Sequence, residues 1–489
     1  MSEQSSYRQI FKATSLFGGV QVFNILISII KSKALAILLG PAGMGINGMI
    51  ASTIDIIRNI SNFGLGTSAI RNVAEANENG DETRIRVVIS VLRRIIWFTG
   101  LLGALITFLF SPWLSEIVFG NKDYTYAFML LSVVLLLIQQ TEGNNVILQG
   151  TRKLTYLAKS NVLGSLIGLI AIIPLYYFFR IKAIVPAIII GATISFLLSK
   201  YFSDKVPVER VKLPSSTIRT EGFKMAKMGI MVSLTSLVNL LASFITRIFI
   251  ERSDGMDHVG LYNAGFALIV TYVGLVFNAM STDYYPRLSG VANDKKSANT
   301  LINHQTEIAI LIIAPILMVL IVFIKYVIGI LYSSEFVPIS GMIKWAALGM
   351  FFKALSWPIS ILFMAKGQFK LYFFVEAFFC ACLLLFNIIG YKLMSLDGLG
   401  IAHSLANLLY LLAIVIICYK NKYGLKYNST FIKIFILQFS CAIICFLAMR
   451  LDTIYSYFIG VVLILLSSAY SLFELNKRLD FNNLVKRKK

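Results

Sequence analysis

Apolar windows long enough to cross a bilayer follow one another along almost the whole chain. A span needs about 20 predominantly apolar residues. Such windows lie at roughly 12–39, 46–66, 87–110, 125–148, 156–179, 183–202, 227–250, 260–282, 305–330, 341–364, 371–393, 399–419, 432–449 and 454–473. Backbone N–H and C=O groups inside lipid must be satisfied within the segment, so these windows predict helices. The expected fold class is an all-α polytopic membrane protein of about 14 transmembrane helices.

The polar stretches between windows add an organisation. The longest, 203–226, carries Pro207 and Pro214 and is expected to be a linker between two halves. Landmarks recur on its two sides. Gly45-Ile46-Asn47-Gly48 opens the second window much as Gly260-Leu261-Tyr262-Asn263 opens the eighth. The step from Gly45 to Gly260 nearly fits two further matches. Gly150 to Lys153 follows the fourth window as Gly367 to Lys370 follows the tenth, and Pro186-Ala187 has its counterpart in Ile401-Ala402. An even number of spans per repeat makes the repeats parallel, related by an axis along the membrane normal. The expectation is two six-helix lobes, 1–211 and 212–424, around a central cavity, with residues 425–489 as two appended helices and a basic tail.

Composition agrees with the pattern: 57% of the 489 residues are hydrophobic, 14% are charged, and mean hydropathy is +0.77. No room is left for a large soluble domain. The net charge of +21 is spread over short connections rather than gathered in a nucleic-acid-binding module, so nucleic acid is not an expected partner. Alternate connections are rich in Lys and Arg, from Arg71, Arg84, Arg86, Arg93 and Arg94 to Lys420, Lys422, Lys426 and the tail Lys486 to Lys489. By the positive-inside rule both termini are expected in the cytoplasm. No small-residue cleavage site ends the first apolar run, so the first span is expected to be retained. The five cysteines, Cys380, Cys382, Cys418, Cys441 and Cys445, lie in apolar runs and are expected to be packing residues, not a disulfide framework.

Candidate chemistry lies in polar groups that interrupt the spans. Lys353 sits near the middle of the tenth. A charge at that depth costs about 2.5–3.5 kcal/mol or more, so such a group normally faces a partner or a wet cavity. In the first span Gln21, Asn24, Ser28 and Lys31 follow a three- and four-residue rhythm that sets them on one helical face, with Lys33 close by. Arg58 in the second span, and Asn239 and Arg247 in the seventh, complete the candidate substrate-binding set of Lys31, Lys33, Arg58, Arg247, Lys353, Gln21, Asn24 and Asn239. Under the repeat offset Arg247 falls next to the position equivalent to Lys31. Asp55, Glu142 and Glu376 are candidates for ion coupling. Each has a plain structural alternative: Lys31 and Lys33 snorkelling to the interface, Asp55 pairing with Arg58, and Glu142 and Glu376 lying at the interface. No G-x-x-x-x-G-K-[ST] is present, and His258, His304 and His403 are far apart without metal-ligand neighbours, so no cofactor and no metal are expected.

Several segments are familiar in order and spacing. Gly40 to Gly45 (GPAGMG), Phe119 to Tyr124 (FGNKDY), Phe352-Lys353, Ala365-Lys366-Gly367 and Tyr372 to Glu376 (YFFVE) resemble the Wzx-type polysaccharide flippases, and within them the lipid III flippases of enterobacterial common antigen. These belong to the multidrug/oligosaccharidyl-lipid/polysaccharide exporter superfamily, and the likeness spans roughly residues 10–420. It implies a transporter, not an enzyme, in the bacterial cytoplasmic (inner) membrane. Its substrate would be an undecaprenyl-diphosphate-linked oligosaccharide, an O-antigen, common-antigen or capsule unit, moved to the periplasmic leaflet by alternating access. Membrane lipid, a polysaccharide polymerase and a chain-length regulator are the implied partners. Lys33 and Lys353 sit where that family tends to place lysines. Lys353 facing Lys33 and Arg58 would make a cationic clamp for the diphosphate. The competing readings are a drug or organic-cation antiporter of the same superfamily, favoured by a carboxylate-rich cavity, and a membrane polymerase or ligase, favoured by a large extracytoplasmic loop.

Overall fold

The computed structural model describes residues 3–62, 64–78, 82–208, 211, 213–451 and 453–479, with side chains described from residue 23 apart from 65–68, 71, 78, 215, 224, 226–229, 231–232, 271–272, 282 and 479. The chain is an all-α polytopic membrane protein. Among the described residues there is no strand, and eleven helical runs are long and apolar enough to cross a membrane. Three of these runs are far longer than one crossing requires. Helix α1 (Glu3–Asn62) contains the 40-residue run Phe23–Asn62, Leu154–Ser203 covers 50 residues, and α13 (Phe369–Lys420) covers 52. At 1.5 Å per residue these are about 60–78 Å long, twice or more the ~30 Å of hydrocarbon.

Each long run breaks near its middle. In α1 Gly40 adopts φ 65° and ψ −172° just before Pro41, which has no N–H to continue the ladder. Between α6 (Leu154–Phe179) and α7 (Ile184–Ser203) Arg180 takes φ 52° and ψ −133°, and in α13 Ser395 takes φ 50° and ψ −130°. Each such run therefore provides two crossings, and the described helices account for fourteen. The breaks also recur at the spacing that relates Gly45 to Gly260 in the sequence. Gly40 is matched by Gly255 (φ 82°, ψ −174°), Arg152 (φ 55°) by Gly367 (φ 70°), and Arg180 by Ser395.

The chain divides into two compact units, Met1–Gly260 and Leu261–Lys489. The boundary expected at 211/212 lies inside the first unit, because α8 (Ser215–Asp254) packs along α1, α2 (Leu65–Glu78) and α3 (Glu82–Leu109). Much of the expected linker is the start of α8, pinned to α3 by an ion pair between Arg84 and Glu221 at 2.7 Å. Two helices escaped the hydropathy windows. Helix α2 is too polar overall to cross a membrane, yet it buries Ala69, Val73 and Ala76 at helical spacing. Helix α4 (Ser111–Phe119) is short and closes on Gly120 at φ 69°. The first unit continues through α5 (Thr125–Gly150), α6 and α7.

In the second unit α9 (Met256–Phe266), which begins just before the unit boundary, leads through a π-helical segment into α10 (Gly274–Val291). Then come α11 (Lys295–Leu331), α12 (Ser340–Ala365) and α13. Asp294 caps α11, its carboxylate accepting from the backbone N–H groups of Lys296 (3.1 Å) and Ser297 (3.3 Å). The appended pair α14 (Ser429–Ala448) and α15 (Ile454–Leu479) is sewn together by the buried Gln438 side chain. That amide donates to Ser471 Oγ (2.9 Å) and accepts from Ser467 Oγ (2.6 Å). Arg478 of α15 reaches Glu307 of α11 at 2.8 Å and also pairs with Glu474. Glu307 is only 6% exposed, so this docking answers an otherwise costly carboxylate.

One close approach fixes helix spacing in the first unit. A Cβ on Gly260 would lie 1.8 Å from the Pro41 carbonyl oxygen, and one on Gly45 would lie 2.1 Å from that of Met256. Gly260→Ala is expected to lower the thermal stability of the detergent-solubilised protein by about 1–3 kcal/mol, since backbone must shift to admit the methyl. Gly168→Ala, where a Cβ meets nothing within 4 Å, is expected to be neutral or slightly stabilising in the same melt.

Candidate functional site

The first unit contains an open cavity of about 710 Å³ between α1, α5, α6 and α7. Helical periodicity builds it: Asn24, Ser28 and Lys31 of α1 share one face, as the sequence rhythm implies, and all three line it. Ser165 Oγ donates to Asn24 Oδ1 at 3.2 Å, joining α6 to α1. Lys31 is exposed to the cavity. Arg58 and Glu142 lie on its wall as a pair, Arg58 Nη2 3.1 Å and Nε 3.2 Å from Glu142 Oε2. Two guanidinium donors on one carboxylate oxygen make a charge-assisted contact. Asp55 stands farther off, 3.9 Å from Arg58, and also lies in the electrostatic reach of Arg247. The structure thus selects Glu142, distant in the sequence, over the i,i+3 neighbour as the principal partner of Arg58.

The second unit holds a different cluster. Lys353 lies at the midpoint of α12, half-buried, with its Nζ 6.0 Å from the centre of the Phe277 ring. Its electrostatic neighbours are Glu376 and His403. Among the described residues its ammonium makes no hydrogen bond and no direct ion pair. Glu376, on the first half of α13, accepts a hydrogen bond from the Tyr410 hydroxyl on the second half. The break at Ser395 folds α13 back on itself and brings the two together. His403 is 3% exposed, meets Phe266 edge-on at 5.5 Å, and has neither ring nitrogen hydrogen-bonded. Sequence spacing presents His403 as a packing residue; its place within the electrostatic reach of Lys353 depends on how α12 packs on α13, which spacing alone does not encode.

The other sequence candidates are placed as follows. Asn239 is exposed and donates to the Thr235 carbonyl at 3.0 Å on its own helix. Lys33 and Arg247 are each engaged with other groups. The Gln21 side chain lies outside the described residues. Gln139, a polar interruption of the fourth span, is a structural tie, its Nε2 donating to Thr99 Oγ1 at 3.1 Å. Among the described residues no group of three or more His, Cys, Asp or Glu could hold a metal ion.

Known proteins resemble the chain in both sequence and fold. A family described as polysaccharide biosynthesis protein matches residues 34–341. The chain is 22% identical over 357 residues to the lipid III flippase of Escherichia coli (strain K12), covering 71% of this chain and 83% of that protein. It is 24% identical over 159 residues to stage V sporulation protein B of Bacillus subtilis (strain 168), covering 32% and 30%. Among solved structures, an inward-facing MATE-family multidrug resistance transporter of the MOP superfamily aligns with a TM-score of 0.68 at 14% identity, over 81% of this chain and 94% of that one. The lipid II flippase MurJ in an inward closed conformation aligns at 0.65 and 14%, over 95% and 99%. The fold is that of these transporters.

Removing the Glu142 carboxylate tests the electrostatics of the cavity wall. Glu142→Ala leaves Arg58 with the more distant Asp55, and is expected to cost about 1–3 kcal/mol. Adding Arg58→Leu to it is expected to recover most of that loss, because no uncompensated charge then remains. Thermal denaturation of the two variants in detergent measures both.

Proposed function

Because the chain belongs to the polysaccharide biosynthesis protein family, matched over residues 34–341, we propose that it is a flippase for undecaprenyl-diphosphate-linked oligosaccharides. It carries the glycan-bearing lipid from the cytoplasmic to the periplasmic leaflet of a bacterial inner membrane by alternating access, with both termini in the cytoplasm. The observation that carries the reading is Lys353, a cation at the midpoint of a membrane-spanning helix with no direct ion pair among the described residues. The relative named lipid III flippase supports the substrate class.

A diphosphate requires cations screened from lipid, and Lys and Arg supply them as point charge and planar fork. Lys353 leads this role, with Lys33 and Arg247 as further cations, Lys31 as a substrate-binding cation in the first-unit cavity and Arg58 held in reserve by Glu142. Gln21, Asn24 and Asn239 present amides to the glycan. Negative charge moving outward across an inside-negative membrane gains about 2.3 kcal/mol per charge per 100 mV if it crosses the full field. The potential is thus a source of drive that needs no nucleotide, and Asp55, Glu142 and Glu376 are the carboxylates available for any coupled ion. A polysaccharide polymerase and a chain-length regulator are the partners such an exporter would feed.

Lys353→Ala is expected to trap lipid-linked glycan in the cytoplasmic leaflet and to lower surface glycan at least tenfold, with Lys353→Arg intermediate because charge is kept and geometry changed. Leaflet-resolved labelling of the lipid-linked glycan reads both, and unchanged export in the alanine variant would remove Lys353 from the mechanism. In vesicles with an imposed potential and collapsed H⁺ and Na⁺ gradients, export is expected to continue. Arrest there would make ion coupling obligatory.

A further inference from the structure

Each residue lining the first-unit cavity has an equivalent in the second half of the chain, reached by the step that takes Gly45 to Gly260. Some pairs keep their chemistry: Asn24 with Asn239, Ser28 with Ser243, Thr141 with Ser356. Others trade a smaller or charged residue for a larger aromatic or aliphatic one. Glu142 corresponds to Trp357, Gly164 to Phe379, Gly168 to Leu383 and Ser195 to Tyr410. In the second unit those rings pack on their neighbours, Trp357 against Phe277 (5.4 Å) and Tyr284 (5.7 Å), and Phe379 against Tyr410 (5.0 Å). The backbone breaks that recur at the same spacing make the correspondence structural as well as sequential. The open volume of the first unit therefore arises from small residues at positions that the second unit fills.

We infer that this cavity is the saccharide subsite of the transported lipid, an inference that rests on the flippase reading above. Its volume of about 710 Å³ falls within the roughly 300–1,000 Å³ of ligand pockets. A sugar ring is polar at its rim and apolar on its faces, and the walls answer both. Asn24, Asn161, Ser165 and Ser195 bring amides and hydroxyls, while Leu169 and Ile172 bring apolar surface. The Oδ1 of Asn145, another lining residue, is buried and unpartnered among the described residues, an acceptor left for a hydroxyl donor. Gly164, Gly168 and Gly191 leave the α6–α7 wall low. The charges point the same way. Arg58 and Glu142 cancel, leaving Lys31, so the cavity is neither the strongly cationic site a diphosphate favours nor the anionic site an organic cation favours. The Arg58–Glu142 pair offers both donors and acceptors to a neutral polyhydroxyl ligand.

The test fills the cavity with the side chains found at the equivalent positions of the second half. Gly168→Leu is accommodated because a Cβ there meets nothing within 4 Å, and Gly164→Phe starts from ordinary contacts, the nearest being Leu198 Cδ1 at 3.8 Å. Both substitutions also improve helix propensity. Asn161→Leu is a third variant that removes polarity while keeping the branched side-chain shape. The full chain is reconstituted in nanodiscs, and binding is measured for two probes. One is undecaprenyl diphosphate. The other is the undecaprenyl-diphosphate-linked glycan fraction extracted from the bacterium that makes the protein. Each variant is expected to bind the sugar-free lipid within twofold of the unsubstituted protein and to lose at least tenfold in affinity for the glycan-linked lipid. Equal loss for both probes, or no loss for either, would overturn the saccharide assignment while leaving the flippase reading in place. An unsubstituted protein that binds neither probe would bring down the flippase reading and this one with it.

Discussion

A charge inside a hydrocarbon layer persists only where another group answers it, and the interior of this protein is arranged around that constraint. The penalty for an unanswered charge at mid-membrane is several kcal/mol on most scales, comparable with the stability of a whole domain. Three answers are visible. Arg58 is held by Glu142 on the wall of the first-unit cavity. Glu307 is held by Arg478, which ties α15 to α11. Among the described residues Lys353 has only aromatic and longer-range electrostatic neighbours, Phe277, Glu376 and His403. In the first two arrangements the charges are directly paired. The third leaves a cation available, and this is why the functional reading rests on it.

The same constraint governs the backbone. Long helical runs satisfy their own hydrogen bonds, so a chain of this composition is free to build crossings of any length. What divides them is a handful of positive-φ residues. Gly40, Arg180 and Ser395 each turn a double-length run into two crossings. Gly40 does so without Cβ strain; Arg180 and Ser395 hold a conformation that L-residues seldom adopt, and the packing around them must enforce it. One consequence is chemical. Without the break at Ser395, Glu376 and Tyr410 would lie 34 residues apart along one helix, about 51 Å, instead of sharing a hydrogen bond.

Backbone and side chains have diverged to different extents between the two halves. Equivalent positions such as Gly40 and Gly255, or Arg180 and Ser395, keep their dihedrals, while Gly164 stands against Phe379 and Ser195 against Tyr410. The two halves thus carry different interiors, a polar-lined cavity with a neutralised ion pair and a cluster of aromatic rings with a lysine near one of them.

Hydropathy is a local sum over about 20 residues, and it was sufficient for the class, the number of crossings and most of their positions, because insertion in lipid depends on the same local sum. The face shared by Asn24, Ser28 and Lys31 was legible for a similar reason, since helical periodicity is local. Helices α2 and α4 were not legible, being too polar or too short for a spanning window. Pairing was not legible either. Asp55 is three residues from Arg58, and the fold gives Arg58 the nearer Glu142; His403 has the spacing of a packing residue, and the fold brings it within the electrostatic reach of Lys353. Which charges meet depends on how helices distant in the sequence pack and where their long runs break, and only the tertiary structure holds that information.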